Sequence, residues 1–405
     1  MFTIDISGKK RYIKMQLLVL LNFAAAIQGL FLTYIIAHNR LRDTKSVVLG
    51  LLTFVLSLSL LGGIYGMTGF YKTFPHFTNV ADPMFLLYGP LLFIYIFVLT
   101  RNRLPQYYLL HSLPFFIYIL SFIPLYLKSW EEKIEWAEYI FLNDHVPLEG
   151  LLMQLLRVVH ISVYIILSLL AVKTYQKKIK DNFSDIEKIS LNQAKNILYF
   201  FLFALVVACI SFVCGYFLSY SFSLSNNIIG LVIGIIIFAM AYSTWNKKDI
   251  SEIVSTKLVN KTDNPIETLN PEANKAKGRS VFVLSQEQLD EYRIRLETAI
   301  EKDKVFIENE LSLAELSKRV NIQPYQLSEL ISRVYKESFF DFINRHRIDE
   351  IKLRIKDTAS DSYSLLGIAM DCGFNSKSSF NTAFKKFAGI TPSEYRKNIF
   401  DYNSL

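Results

Sequence analysis

Gly373-Phe374-Asn375-Ser376-Lys377-Ser378-Ser379-Phe380-Asn381-Thr382-Ala383-Phe384-Lys385-Lys386-Phe387-Ala388-Gly389-Ile390-Thr391-Pro392-Ser393-Glu394-Tyr395-Arg396 decides how the C-terminal end of this chain folds. Gly373 can turn left-handed without steric cost, and Phe374 supplies an apolar plug directly after it. Phe380, Phe384 and Phe387 then recur at helical spacing, with polar residues on the opposite face. Thr391 and Glu394 fit a capping box, and Pro392 occupies the first helical position, where its missing N–H costs nothing. The pattern predicts the second half of a helix-turn-helix followed by a short capped helix.

A similar unit lies about fifty-two residues upstream, Leu313–Tyr335 against Leu365–Phe387. Asn321 stands where the second unit has Gly373, and Ile322 where it has Phe374. Leu327, Leu330, Ile331 and Val334 form the expected buried face of the first unit's second helix. Ser285 with Gln288, and Ser312 with Glu315, make two further capping boxes. Between the units, Ser338–Lys356 has apolar positions at helical spacing. It predicts a connecting helix that holds two recognition helices roughly 34 Å apart, one turn of DNA.

The other half of the chain has a different composition. The 405 residues are 52% hydrophobic, with mean hydropathy +0.28, a value soluble domains rarely reach. Seven apolar runs, near 16–38, 46–68, 84–100, 107–127, 151–172, 195–220 and 227–245, are long enough to cross about 30 Å of hydrocarbon. Pro90 and Pro114 fall inside the third and fourth. The first run exceeds a signal-peptide core and reads as an uncleaved helix. Arg40, Arg42 and Lys45, then Arg101 and Arg103, then Lys173, Lys177, Lys178, Lys180 and Lys188 mark alternate loops as cytoplasmic. This places the N-terminus outside and the C-terminus in the cytoplasm of an inner-membrane protein. Lys9, Lys10, Arg11 and Lys14 disagree with that orientation.

Gln154, Arg157 and His160 recur every three residues on the fifth span, followed by Tyr164. Ionisable groups at membrane depth are candidates for sensing a small-molecule or peptide signal. The alternative is that Arg157 snorkels to the outer interface and His160 bonds a neighbouring helix. Gly230 and Gly234 suit close helix packing. Residues 246–284 lose the apolar pattern and read as a flexible cytoplasmic linker.

The net charge of +8 does not by itself argue for nucleic acid, because Lys+Arg and Asp+Glu are about equal over Val281–Leu405. The three cysteines lack zinc spacing, and no cofactor or metal is expected.

Residues 285–400 resemble the AraC/XylS family of bacterial transcription regulators. The match is carried by Gly373-Phe374, the Ser-x-Ser-x-Phe run, Phe384-Lys385-Lys386 and the Gly389-to-Arg396 segment. The resemblance implies two recognition helices in adjacent major grooves. Base-facing positions carried over are Tyr325, Gln326, Ser328 and Glu329 in the first, and Lys377, Ser378, Asn381 and Thr382 in the second. Gln326 and Asn381 suit adenine and Lys377 suits guanine, while Glu329 suits cytosine or else pairs with Arg333. Arg333, Lys336, Lys385 and Arg396 are the expected phosphate contacts.

The expected architecture is therefore all-α: a seven-helix transmembrane sensor over 1–245, the linker over 246–284, and an AraC-type DNA-binding domain over 285–400. The expected function is a membrane-bound, sequence-specific transcription regulator, with promoter duplex DNA and the lipid bilayer as partners. RNA polymerase joins them if the protein activates. The near-neutral domain favours a homodimer or a high local concentration. The alternative is a transporter or receptor whose helical tail is a protein-interaction module. No metal, phosphate-loop or nucleophile motif points to an enzyme.

Overall fold

The computed structural model describes residues 6–40, 43–142, 148–186, 191–217, 222–245, 284–357 and 363–403. Every regular element among them is helical. The chain divides into two compact units, Met1–Lys173 with Leu191–Lys247, and Thr174–Ser190 with Lys248–Leu405. Except for Leu284, the linker expected over 246–284 lies outside the described residues.

The first unit contains α1 (Ile6–Arg40), α2 (Thr44–Thr68), α3 (Phe85–Arg101), α4 (Leu113–Ser121), α5 (Ile123–Tyr126), α6 (Trp130–Leu142), most of α7 (Leu148–Lys180), α8 (Asn192–Phe217) and α9 (Phe222–Trp245). α1 packs on α2 and α9, α2 on α3, and α8 on α9. Small residues permit the approach of α9 to α1: a Cβ on Gly230 would sit 2.9 Å from Asn22 Oδ1, and one on Gly234 would sit 2.9 Å from the Ala25 Cβ.

Five helical segments among the described residues are long and apolar enough to span a bilayer: Gln16–His38, Thr44–Thr68, Pro75–Arg101, Leu152–Lys180 and Ala194–Ser211. Seven were expected. The expected span at 107–127 is broken into a 3-10 turn (Tyr108–Ser112) followed by α4 and α5, each with a proline in its first turn, Pro114 and Pro124. A proline there starts a helix well and cannot continue the one before it. In α9 the described apolar stretch, Ile228–Ala241, is too short to qualify. Leu152, Leu155, Leu156, Val159, Val163, Ile166 and Leu170 stay exposed along α7. Such a stripe is costly in water and compatible with lipid.

In the second unit, the tail is built from α10 (Gln286–Glu301), α11 (Leu313–Val320), α12 (Pro324–Leu330), α13 (Phe339–Asp357), α14 (Leu365–Asp371), α15 (Lys377–Ala388) and α16 (Pro392–Asn403). Reciprocal capping boxes start α10 at Ser285 and α11 at Ser312. Thr391 and Glu394 exchange the same pair of bonds at α16. Asn321 closes α11 at φ +51 and Gly373 closes the α14 turn at φ +94, both left-handed. α13 divides the tail into two cores. Its N-terminal half packs Phe339, Phe342 and Ile343 with Leu296, Leu316, Leu327 and Leu330. Its C-terminal half packs Ile348, Ile351 and Ile355 with Phe374, Phe380 and Phe384.

One expected core position is displaced. α12 widens into a π turn over Ile331–Tyr335, and Val334 is 36% exposed. The extra residue per turn rotates the backbone beyond Ile331, so Val334 leaves the face that Leu327, Leu330 and Ile331 share.

His346 lies on α13 between Phe306 and Phe342, with ring centroids 5.9 and 4.8 Å away. Burial, and then the charge of Arg345, push its pKa down to about 4. The unfolded chain, titrating near 6.5, binds more protons than the folded tail between those values. Stability should therefore rise with pH from about 4 to 6.5 and be fully present above it. The expected gain, about 2 kcal/mol after allowing for the ring's partial exposure, would be measured by denaturant unfolding across this range. His346→Phe should flatten the profile.

Candidate nucleic-acid interface

α15 is the better defined of the two recognition helices. Ser376 caps it, accepting from the Ser379 amide at 3.1 Å, and Gly389 ends it at φ +79. Phe380, Ala383 and Phe384 bury one face. Lys377, Ser378, Asn381, Thr382 and Lys385 are all exposed on the other. Lys377, Asn381, Thr382 and Lys385 line an open groove with Thr391, Pro392 and Ser393 at the start of α16. Lys386 also lines the groove, with its ammonium 2.6 Å from Asp341 on α13.

α12 presents less. Tyr325 is exposed, and Ser328 and Glu329 are half-buried. Gln326 is turned inward: it is 8% exposed, and its side-chain oxygen accepts from the Tyr292 hydroxyl at 3.5 Å. The cause is α10, which packs across α12 and covers that side of it. Glu329 pairs with Arg333 at 3.1 Å, and Arg333 also donates to the Leu284 carbonyl at 3.3 Å. Lys336 is exposed in the left-handed residue that ends the π turn. Arg396 donates to the Tyr363 carbonyl at 3.1 Å, tying α16 to the start of α14. Exposed cations thus gather on α15, while the charges of Glu329 and Arg333 offset each other beside α12.

In the first unit, Arg157 donates to Asp82 Oδ2 at 2.6 Å, and the Tyr118 hydroxyl donates to the same oxygen at 2.5 Å. The guanidinium carbon lies 3.9 Å from the Phe85 ring centroid. His160 packs against Tyr164 at 5.1 Å, and the Tyr164 hydroxyl lies 3.1 Å from His111 Nδ1. Both ring nitrogens of His160, and Arg157 Nε, are buried without a hydrogen-bond partner among the described residues. Gln154 is half-buried on the same helix. The partner that sequence reasoning missed is Asp82. It precedes the apolar run expected at 84–100, in a short 3-10 turn before α3.

Residues 316–398 match the helix-turn-helix domain family. The melibiose operon regulatory protein of Escherichia coli (strain K12) is 29% identical over 87 residues, 22% of this chain and 28% of that protein. An uncharacterized HTH-type transcriptional regulator of Staphylococcus aureus (strain COL) is 36% identical over 87 residues, 22% of this chain and 11% of that protein. The similarity therefore spans less than a third of either relative. No solved structure matches. The C-terminal part of this chain carries an AraC-type helix-turn-helix domain.

Proposed function

We propose that the protein is a membrane-bound, sequence-specific transcription regulator that grips promoter DNA with α12 and α15. The observation that carries this reading is the exposed polar face of α15, backed by its phenylalanine core, within a domain matched to the helix-turn-helix family. Lys377, Ser378, Asn381 and Thr382 face bases, and Tyr325 and Ser328 contribute from α12. Lys385 and Lys336 contact phosphates. Gln326, buried against Tyr292, supports its helix rather than reading a base.

Residues 1–245 cross the inner membrane, with the N-terminus outside and the C-terminal domain in the cytoplasm, and they receive the signal. The Asp82–Arg157 pair with His160 is the sensing centre in this reading, since a ligand that competes for Arg157 would favour one of two arrangements of α3 and α7. RNA polymerase is a partner if the regulator activates.

The test is selection of bound duplexes by the full chain in lipid nanodiscs. Asn381→Ala should leave total affinity largely intact and relax preference at one base position by roughly 1–3 kcal/mol. A selection that returns no sequence preference would sink the proposal.

A further inference from the structure

The second unit contains a piece of chain from far upstream. Thr174–Ser190, which holds the last turns of α7 and the residues after it, clusters with the tail. Phe183 forms an antiparallel bridge with Ser312. The Leu313 amide donates to the Asn182 carbonyl at 2.9 Å, and the Ser184 amide donates to the Leu311 carbonyl at 3.1 Å. Ser184, 2% exposed, uses every polar atom it has. Its hydroxyl donates to the Leu311 carbonyl at 2.7 Å and accepts from Arg347 at 3.3 Å, and its carbonyl accepts from Asn344 Nδ2 at 3.1 Å. Asp185 Oδ2 accepts from Asn375 Nδ2 at 2.6 Å.

These bonds reach three separate places in the tail. Leu311 and Leu313 flank the residue that caps α11 of the first helix-turn-helix. Asn344 and Arg347 lie on α13, which separates the two cores. Asn375 directly precedes the cap of α15. Asn344 and Arg347 are each 1% exposed, so the acceptors that residues 182–185 bring to them could not be replaced by water without opening the core. A surface loop resting by chance on a neighbour does not complete that neighbour's buried polar groups.

We infer that residues 182–185 form a docking strap that joins the end of α7 to both helix-turn-helix units, a second attachment of the tail besides the linker. The strap touches none of Lys377, Ser378, Asn381 and Thr382 among its described bonds, so it leaves the exposed face of α15 clear. It instead bears on how α11, α13 and α15 are placed with respect to one another. A displacement of the end of α7 would thus change the spacing of the recognition helices. That regulatory consequence rests on the function proposed above; the attachment itself does not.

The experiment uses the full chain with an N-terminal affinity tag, in nanodiscs, with a protease site inserted at residues 260–266. After cleavage the tag is captured, and the tail that remains with it is followed over time. With the native strap the tail should stay bound. Ser184→Ala combined with Asp185→Ala should speed its loss at least tenfold. Asn375→Ala should speed loss no more than Asp185→Ala, and the two combined should match Asp185→Ala alone, because the bond lost with Asn375 is already lost with Asp185; separate folding defects would add. Loss of the native tail as fast as that of the double variant overturns the strap, and so does equal retention in both. Duplex selection is scored separately: a retained tail with no sequence preference would refute the regulator and leave the strap standing.

Discussion

Gly373→Ala is expected to destabilise the tail by about 3–4 kcal/mol and to abolish DNA binding at temperatures where the native protein binds. Two costs combine. The backbone at Gly373 has φ +94, a conformation that costs an L-residue roughly 1–2 kcal/mol. A Cβ there would also meet the Ile307 carbonyl oxygen at 2.6 Å and Arg347 Nε at 2.9 Å. Neither neighbour is a side-chain tip that can swing away. Ile307 is backbone in a 3-10 turn, and Arg347 Nε is fixed by its bond to the Phe306 carbonyl at 2.7 Å. Relief requires shifting the turn against α13, which overpacks a filled core by a further amount of about 2 kcal/mol.

Gly389→Ala separates the two terms. Gly389 has φ +79, but nothing lies within 4 Å of its would-be Cβ. It should cost only the conformational part, about 1 kcal/mol. Denaturant unfolding of both variants, with duplex binding measured in parallel, checks the difference. Equal losses at the two positions would remove the packing argument.

The tail was more legible in sequence than the first unit, and the reasons are local. A capping box, a left-handed turn residue and an apolar stripe are each written within a few neighbouring positions. Ser312 with Glu315, Asn321, Gly373 and the three phenylalanines of α15 therefore announce their geometry directly. What sequence could not show depends on residues distant in the chain. Gln326 looks like an adenine reader until α10 places Tyr292 over it. Val334 fits the apolar spacing of an α-helix, and only the π turn moves it out of the core. Arg157 reads as a lone cation because Asp82 is seventy-five residues away. The lysines at the C-terminal end of α7 drew attention to membrane orientation, whereas the residues that bind the tail are the short polar ones just beyond that end, Asn182, Ser184 and Asp185. Short polar residues in a loop have no periodicity to betray a partner.

Arg347→Ala should cost about 3–5 kcal/mol, the largest single effect expected in the tail. Arg347 is 1% exposed. Its Nε and one terminal nitrogen donate to the Phe306 and Glu308 carbonyls, both at 2.7 Å. The other terminal nitrogen donates to Asn344 Oδ1 at 3.2 Å, and the guanidinium carbon lies 5.6 Å from the Phe374 ring centroid. Burial lowers its pKa to about 10, so the group remains charged near neutrality. Replacing a buried charge by a hydrophobe is often nearly neutral when its partners are replaced too. Here two of the partners, those of Phe306 and Glu308, are backbone carbonyls, which no substitution removes. Arg347→Met should therefore fill the space and still cost about 2 kcal/mol or more, because the carbonyls lose their donors. Arg347→Lys keeps the charge but cannot form the planar fork that reaches Phe306, Glu308 and Asn344 together. It should fall between the wild type and alanine. If methionine proved as stable as arginine in denaturant unfolding, these carbonyls would not need their donors. The guanidinium could then not be what fixes the 305–308 turn against α13, and with it the floor on which Gly373 closes.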